Sequence, residues 1–340
     1  MPTLTRQIQL ATRPYGEPIA DNFRLVSAEL ADPGPGQVLV RNLVMSVDPY
    51  MRGRMNDAPS YAPPWQLDEP AQGGAVGEVV ASADPTIAIG TLVLHNAGWR
   101  EHALLDAGEF RAVGPLAGIS SSLYLGALGM TGLTAYAGLF RIAAFSSKDT
   151  VFVSGAAGAV GSMVGQLAKR GGSPRVIGSA GSPEKVRYLV DELGFDAAFN
   201  YHDGPVSELL TNAAPDGVDV YFDNVGGEHL EAAIGAMNVF GRAAICGSIS
   251  GYNATESSAG PRNMSMITGK RLTLRGFLVF DNADLQSEFD AMVRPALSDG
   301  RIVARETVTD GLDNAVSAFI GMLRGANTGK TIVRLAPDPA

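Results

Sequence analysis

Two patterns of hydrophobic and polar residues meet near residue 125. Before it, short alternating or apolar runs lie between Pro- and Gly-rich turns and predict strands within 36–48, 73–82 and 89–97. Helical periodicity is weak in this part of the chain, which therefore is predicted to form a compact β-rich domain. Residues 125–140 then mix small and large apolar side chains, which is typical of a helix packed against a sheet.

Strand-like and helix-like segments alternate beyond that point. The apolar runs at 150–155 and 175–180 are each followed by a segment of helical composition, and the alternation continues toward the C-terminus. Such alternation predicts an α/β fold, a doubly wound parallel sheet with helices on both faces. A further strand is predicted within 271–280, two helices within 284–325, and a last strand within 328–335.

The composition narrows the range of possible partners. The chain has 340 residues and a formal net charge of −9, and 46% of its residues are hydrophobic. A chain of this size and acidity is expected to form two domains and to bind neither nucleic acid nor an anionic membrane. Its single cysteine, Cys246, leaves no intrachain disulfide and no multi-cysteine zinc site. Neither an apolar signal sequence nor a run of ~18 apolar residues is present, so a cytoplasmic location is expected.

A glycine-rich turn lies in "TVFVSGAAGAVGSMVGQLAK", where Gly155, Gly158 and Gly161 form a G-x-x-G-x-x-G pattern. Small residues allow a tight turn, let backbone N–H groups approach a pyrophosphate, and let the helix pack closely on the strand. Such a turn can also be a purely structural connection. Here an apolar strand precedes it and an amphipathic helix follows it, and this context favours dinucleotide binding.

The next strand ends without the acidic residue that NAD-binding units place there for the ribose 2′-hydroxyl. The chain instead has small residues from Gly178 to Ser182, and then Lys185. The Ser182 hydroxyl and the Lys185 ammonium suit a 2′-phosphate, so the expected cofactor is NADPH and not NADH. The alternative is that Lys185 is an ordinary solvated lysine on the following helix.

Several catalytic arrangements are missing from the sequence. No tyrosine has a lysine four residues later, and no G-x-S-x-G pattern occurs. The four histidines, His95, His102, His202 and His229, are scattered and form no pair with metal-ligand spacing. Hydride transfer without a metal ion is the chemistry that remains.

Five motifs resemble those of a known family: "MSVDPYMRGRM", "GMTGLTAYAGL", "FDNVGG", "CGSISGYN" and "NTGKTIV". Together with the glycine-rich turn, they resemble the zinc-free branch of the medium-chain dehydrogenase/reductase superfamily. That branch contains prostaglandin reductases, plant alkenal double-bond reductases and bacterial curcumin reductases. The resemblance covers essentially the whole chain. Where the zinc enzymes carry Gly-His-Glu, this chain reads "GGAVGEV".

The resemblance implies NADPH-dependent reduction of the C=C bond of α,β-unsaturated aldehydes or ketones, without a metal ion. It implies a GroES-like β-rich substrate domain over 1–125 and a Rossmann NADP-binding domain over 126–300. Residues 301–340 would return to the β-rich domain. The expected partners are a small enone or enal substrate and a second copy of the chain in a homodimer.

The resemblance also assigns cofactor contacts to positions of this chain. The glycine-turn residues would hold the pyrophosphate, Lys185 and Tyr201 would meet the 2′-phosphate, and Asn327 would approach the nicotinamide ribose. The complete set expected to bind the cofactor is Gly158, Ala159, Val160, Gly161, Ser162, Ser182, Lys185, Tyr201, Asn224, Cys246, Gly247, Ser248, Ile249, Ser250, Phe277, Leu278, Val279, Asn327, Met130 and Thr134.

Three tyrosines are the candidate catalytic residues. When an enone accepts hydride at its β-carbon, negative charge develops on the carbonyl oxygen, which needs a hydrogen-bond donor. A tyrosine hydroxyl is neutral and protonated at pH 7. Tyr252, in the loop after "CGSIS", is the first candidate, and Tyr50 and Tyr61 are candidates for shaping the substrate site. Each can instead be a packed aromatic with a solvated hydroxyl.

Two alternative functions are compatible with these residues. A quinone reductase of the same superfamily would share the fold and the cofactor but prefer planar quinones. A non-catalytic NADPH-binding protein would keep the glycine-rich turn and Lys185 and would tolerate phenylalanine at position 252. The presence of Tyr50 and Tyr252 in their motifs favours the enzyme.

Overall fold

The computed structural model describes residues 2–114, 120–256 and 259–337. The chain divides into two compact units, which we name the β-rich unit (Met1–Leu125 with Glu306–Ala340) and the parallel-sheet unit (Gly126–Arg305). Among the described residues, no helix is long and apolar enough to cross a membrane.

The strands and helices of the described residues are numbered in chain order. The strands are β1 (Thr3–Leu10), β2 (Phe23–Leu30), β3 (Gln37–Val47), β4 (Ala75–Ser82), β5 (Leu92–His95), β6 (His102–Asp106), β7 (Phe110–Ala112), β8 (Thr150–Val153), β9 (Arg175–Ala180), β10 (Ala197–Asn200), β11 (Val218–Asp223), β12 (Met237–Ile245), β13 (Thr273–Gly276), β14 (Glu306–Asp310) and β15 (Lys330–Arg334). The helices are α1 (Met51–Arg54), α2 (Met130–Tyr136), α3 (Ala159–Arg170), α4 (Pro183–Arg187), α5 (Val206–Ala213), α6 (Gly227–Ala236), α7 (Ser265–Lys270), α8 (Gln286–Ser298) and α9 (Ala315–Leu323).

The β-rich unit is built on a sheet with the strand order β14-β15-β3-β4-β5-β7, and β6 also pairs with β3. Strands β1 and β2 form a separate antiparallel pair. Four aromatic rings pack in the core beside this pair: Phe23, Trp65 and Phe319 each pack against Trp99 with centroids 5.7–6.0 Å apart. Because Phe319 lies on α9, the C-terminal segment completes a core that the first 125 residues begin.

The parallel-sheet unit has six strands in the order β10-β9-β8-β11-β12-β13, all parallel. Helix α2 packs with α3, and α5 packs with α6. The strand order reverses between β8 and β11, and ligands of such sheets bind at the carboxyl ends of the strands around this point. The fold class predicted from the alternating segments is confirmed.

Most of the predicted strands correspond to observed ones, with two differences. The run 271–280 was expected to be one strand, but β13 ends at Gly276 and a 3₁₀ segment starts at Val279. The segment 284–325 was expected to hold two helices, and the structure adds strand β14 between them. That strand forms by parallel pairing with β15, a contact that local patterning does not reveal.

Candidate cofactor and active site

The glycine-rich turn joins β8 to α3. Gly155 has φ +58°, a conformation that favours glycine, and Gly158 is the N-cap of α3 without a capping side chain. A Cβ at Gly161 would lie 2.5 Å from the Gly155 carbonyl oxygen and 2.7 Å from the Ala156 Cα. Glycine is therefore required at position 161 for this close approach of helix to turn. The first turn of α3 contains no acidic residue that would repel an anion, and its first N–H groups, which have no intrahelical partner, can donate hydrogen bonds to one.

A second group of candidate residues follows β9. Ser182 is the N-cap of α4, and its hydroxyl accepts a hydrogen bond from the Lys185 backbone N–H at 3.3 Å. Burial lowers the pKa of Lys185. Tyr201, directly after β10, reaches back to this turn, because a Cβ at Gly181 would lie 2.9 Å from its hydroxyl. The structure thus brings Ser182, Lys185 and Tyr201 to the ends of two adjacent strands.

Asp223, at the end of β11, is a structural residue that the sequence analysis missed. It is completely buried, and its Oδ1 accepts hydrogen bonds from the hydroxyls of Tyr221 (2.6 Å) and Ser154 (3.1 Å). The same oxygen accepts bonds from the backbone N–H groups of Val225 (3.0 Å) and Gly226 (2.8 Å). Asp223 therefore fixes the loop that follows β11 to the end of β8. The signal available in the sequence was a single acid closing an apolar strand, in "VYFDNVGG".

Asn224 and Cys246 extend this arrangement across the sheet edge. The Asn224 side-chain amide donates to the Ser154 carbonyl at 2.8 Å, so it holds the turn after β8. The backbone N–H groups of Cys246 and Gly247 donate to the Asp223 carbonyl at 2.9 and 3.0 Å. Burial raises the pKa of the Cys246 thiol to about 12, which keeps it protonated at neutral pH.

The loop from Cys246 to Tyr252 packs against Gly226 and Gly227, which follow β11. Gly226 has φ +72°, and a Cβ there would lie 2.4 Å from the Ser248 hydroxyl. The Ser250 hydroxyl donates to the Val225 carbonyl at 2.6 Å. Ile249 opens a short 3₁₀ turn that ends at Gly251. The Ile249 and Ser250 N–H groups donate to the Asn224 and Val225 carbonyls at 3.3 and 3.2 Å, so backbone bonds and the Ser250 hydroxyl together set the position of this loop.

Tyr252 follows this 3₁₀ turn and folds back on its own loop. Its hydroxyl lies close to the backbone of that loop, because a Cβ at Gly247 would lie 3.3 Å from the hydroxyl oxygen. Burial raises the pKa of Tyr252, so its hydroxyl stays protonated at neutral pH.

The remaining candidates of the parallel-sheet unit lie on α2 and after β13. Phe277 meets Phe222 edge-on at 6.3 Å, and both rings pack against Gly138. The Leu278 carbonyl accepts a bond from Asn282. The Thr134 hydroxyl donates to the Met130 carbonyl at 2.7 Å within α2.

Three candidates belong to the β-rich unit. Tyr50 directly precedes α1, and burial together with the charge of Asp48 raises the pKa of its hydroxyl. Tyr61 is 59% exposed. The Asn327 amide donates to the Gly329 carbonyl at 2.9 Å, which folds the "NTGK" segment before β15.

A buried ion pair lies next to two of these candidates and was also missed. The Lys330 ammonium donates to Asp48 Oδ1 at 2.6 Å and to the Val47 carbonyl at 3.0 Å. The Ser46 hydroxyl donates to the other oxygen of Asp48. Asp48 belongs to the motif "MSVDPYMRGRM" and Lys330 to "NTGKTIV", but neither motif indicates that the two side chains form an ion pair.

The histidines are placed as buried or packing residues. Burial lowers the pKa of His95 to about 3 and that of His229 to about 4, so both are neutral near pH 7. In residues 2–114, 120–256 and 259–337, no group of three or more His, Cys, Asp or Glu side chains could hold a metal ion.

Two family models match the chain. One, described as the N-terminal domain of oxidoreductase, matches residues 6–113, and the other, described as zinc-binding dehydrogenase, matches residues 159–296.

Individual proteins match over nearly the full length. The chain is 40% identical to an NADPH-dependent curcumin reductase of Escherichia coli (strain K12), over 98% of this chain and 97% of that protein. It is 41% identical to an NADP(+)-dependent 2-alkenal reductase of Nicotiana tabacum, over 90% and 89%. Among solved structures, CurA from Vibrio vulnificus in complex with NADPH superposes with a TM-score of 0.92 at 41% identity, covering 98% of this chain and all of that one.

Proposed function

Because the chain belongs to the medium-chain dehydrogenase/reductase family, in the branch of curcumin, alkenal and prostaglandin reductases, we propose that it reduces the C=C bond of α,β-unsaturated aldehydes and ketones. The chain is an NADPH-dependent oxidoreductase. The carbon–carbon double bond as the reacting group, and the residues that act on it, are the parts we propose.

The observation that supports NADPH as the hydride donor in this proposal is the group of residues after β9. Ser182 and Lys185 occupy the strand end where an acid would repel a 2′-phosphate, and Tyr201 closes over Gly181 beside them. The residues present also fit the rest of a dinucleotide. The glycine-rich turn keeps side chains away from the N-terminus of α3, where a Cβ at Gly161 would collide with the backbone.

NADPH held by these residues would supply the hydride that the β-carbon of the substrate accepts. We assign to Tyr252 the hydrogen bond to the carbonyl oxygen, where negative charge develops. Its hydroxyl keeps its proton at neutral pH and lies against the Gly247 backbone of its own loop. A preorganised neutral donor of this kind stabilises the charge without a metal ion. Delivery of a proton to the α-carbon, by Tyr252 or by solvent, stays open.

The other candidate residues stay predictions. Ala159, Val160, Gly161 and Ser162 would contact the pyrophosphate, and the loop from Cys246 to Ser250 would line the nicotinamide side. Phe277, Leu278 and Val279 would lie alongside. Tyr50 and Tyr61 would contact substrate, Asn327 the ribose, and Met130 and Thr134 the nicotinamide ring.

The loss of NADPH absorbance in the presence of four substrates tests the proposal. The purified protein is mixed with an alkenal, an alkenone, an allylic alcohol or a quinone, and each reaction is repeated with NADH. We expect rapid oxidation of NADPH with the alkenal and alkenone, and a saturated carbonyl product. Oxidation by the quinone alone would identify a quinone reductase. Tight binding of NADPH without oxidation would identify a non-catalytic binding protein.

We also propose that the protein works as a homodimer, as the family resemblance implies. Light scattering during size-exclusion chromatography tests this: twice the mass of the 340-residue chain is expected, and a single-chain mass would contradict it.

A further inference from the structure

The pairing of β3 with β15 brings two charged residues together inside the β-rich unit. The strands are antiparallel, with Val47 opposite Thr331, so the next pair along is Asp48 and Lys330. Their side chains are only 5% exposed and lie 2.6 Å apart. These residues are 282 positions apart in the sequence, so the pair exists only in the folded unit.

A buried ion pair is a poor source of stability. Removing two charges from water costs several kcal/mol per ion, and the mutual attraction only roughly compensates. Well-packed apolar residues at such positions are often as stabilising or more so. The pair has two further hydrogen bonds, one from the Ser46 hydroxyl to Asp48 and one from Lys330 to the Val47 carbonyl, which restrict its geometry.

The pair lies at the start of the turn that carries Tyr50. The Asp48 carbonyl accepts a bond from the Met51 N–H at 3.1 Å, and the Tyr50 carbonyl accepts one from the Gly53 N–H at 3.0 Å. The turn that presents Tyr50 is therefore anchored at its first residue by Lys330. The carboxylate of Asp48 is also close enough to influence the ionisation of the Tyr50 hydroxyl.

The segment that carries Lys330 is itself held by hydrogen bonds. The Thr307 hydroxyl donates to the Thr328 carbonyl at 2.8 Å and accepts from the Thr328 N–H at 3.0 Å. The Asn327 amide closes the same segment on Gly329. The ammonium of Lys330 thus projects from a segment that is itself fixed to β14.

We infer that the Asp48–Lys330 ion pair is a positioning element for substrate: it fixes the orientation of Tyr50, and through Tyr50 the binding of the enone. The inference rests on the proposed function and adds two residues to it. Neither of the two charges touches the substrate in this account. Their loss changes how well Tyr50 is held.

The test compares variants by their kinetic constants. Lys330→Met, and the double variant Asp48→Asn/Lys330→Met, remove one or both charges while keeping side-chain volume. The double variant leaves no buried unpaired charge, so it is expected to fold if Lys330→Met does not. We expect the double variant to raise KM for an enone about tenfold at saturating NADPH, since small misplacements at a site have effects of this size or larger. The Kd for NADPH should stay within about twofold, because the pyrophosphate and 2′-phosphate candidates lie on other strands and Asn327, the ribose candidate, is held by its own bond to the Gly329 carbonyl.

A second ion pair serves as the matched control. Asp149 and Arg242 form a largely buried pair in the parallel-sheet unit, just before β8 and on β12, and neither is a candidate cofactor or substrate residue. Asp149→Asn/Arg242→Met is expected to lower the melting temperature without changing KM for the enone. A purely structural role for Asp48–Lys330 predicts that same result for its double variant, which would overturn the inference.

A mutant cycle with Tyr50→Phe tests whether the pair acts through Tyr50. Residues that act through one another have non-additive effects, so the triple variant should have nearly the KM of Tyr50→Phe alone. If instead the fold-changes in KM of the double variant and of Tyr50→Phe multiply in the triple variant, the pair acts independently of Tyr50, and the inference is overturned. Wild-type protein that turns over no enone would instead overturn the proposed function, on which the inference rests. The two failures are therefore distinguished by the wild-type rate.

Discussion

The two units hold their candidate residues in different ways. In the parallel-sheet unit, most candidates lie in the loops that follow strands or on the first turns of the helices after those loops, and backbone hydrogen bonds or glycine contacts set their positions. In the β-rich unit, Tyr50 sits on a turn anchored by Lys330, which is 282 residues away from Asp48. Positions of the first kind follow from short motifs, whereas positions of the second kind follow from strand register. Substitutions in the two units should therefore have different effects on cofactor binding and on substrate binding.

The largest effect is expected at the glycine-rich turn. Gly161→Val places side-chain atoms against the Gly155 carbonyl and the Ala156 backbone, which cannot yield as a flexible side chain could. We expect the Kd for NADPH, measured by isothermal titration calorimetry, to rise about 100-fold or more.

Gly165→Ala is the control on the same helix. A Cβ there would meet only the Phe195 ring, at 1.9 Å. This variant should lose about 1–3 kcal/mol of stability from overpacking but bind NADPH like the wild type. Equal NADPH affinity in Gly161→Val would contradict the assignment of the turn.

A smaller and more selective effect is expected at Lys185. Lys185→Glu places a negative charge where the 2′-phosphate is proposed to lie, and a lost charge-assisted hydrogen bond weakens binding roughly 10- to 100-fold. The Kd for NADH should change by less than about threefold, because NADH has no 2′-phosphate. Arg187→Glu, two residues further on α4 and largely exposed, should affect the two cofactors equally and weakly. If Lys185→Glu weakens both cofactors to the same extent, the 2′-phosphate assignment is wrong.

Tyr252→Phe is expected to act on turnover alone. Loss of the hydroxyl removes the proposed donor to the carbonyl oxygen, and kcat should fall roughly tenfold or more. The Kd for NADPH should stay unchanged, because the loop is held by backbone bonds and by Ser250, not by this hydroxyl. Steady-state kinetics on an alkenone give the answer, and an unaltered kcat would remove Tyr252 from the mechanism.

The smallest effect concerns stability between pH 6.5 and 5, where each unit has one buried neutral histidine. His95 and His229 have folded-state pKa values of about 3 and about 4. Both lie below the unfolded value of about 6.5. The unfolded chain therefore binds more protons in this range, and stability falls as the pH falls, by at most about 1.4 kcal/mol per pH unit for each histidine.

Urea denaturation at several pH values checks this expectation. His229→Phe should flatten the pH dependence of the parallel-sheet unit and leave the contribution of His95 in place. A pH dependence unchanged by this substitution would contradict the assignment of a buried, neutral His229.

The features predictable from the sequence are those with local causes. The glycine-rich turn, the missing acid after β9 and the alternation of strands and helices each lie within a short stretch, and the fold class followed from them. Family resemblance supplied Tyr201, Asn224 and the 246–252 loop, which the residue pattern alone did not indicate. The structure brings Tyr201 against Gly181 and fixes Asn224 to Ser154, but their contacts with a cofactor stay predictions.

The features missed depend on contacts between distant residues. Strand β14 forms because β15 lies beside it, and the charges of Asp48 and Lys330 meet because β15 pairs with β3. Asp223 is completely buried because the ends of β8, β11 and β12 converge on it. A single sequence contains no record of these pairings, since each residue taken alone has an ordinary local explanation.

The most direct test of the central claim is the fate of a deuteride. Wild-type protein is given an alkenone and NADPH carrying deuterium at the transferred position of nicotinamide C4, and the product is examined by NMR. The account predicts a saturated ketone with deuterium on the β-carbon. Deuterium on the former carbonyl carbon, in an allylic alcohol, would show that the protein reduces the carbonyl group and would contradict the account.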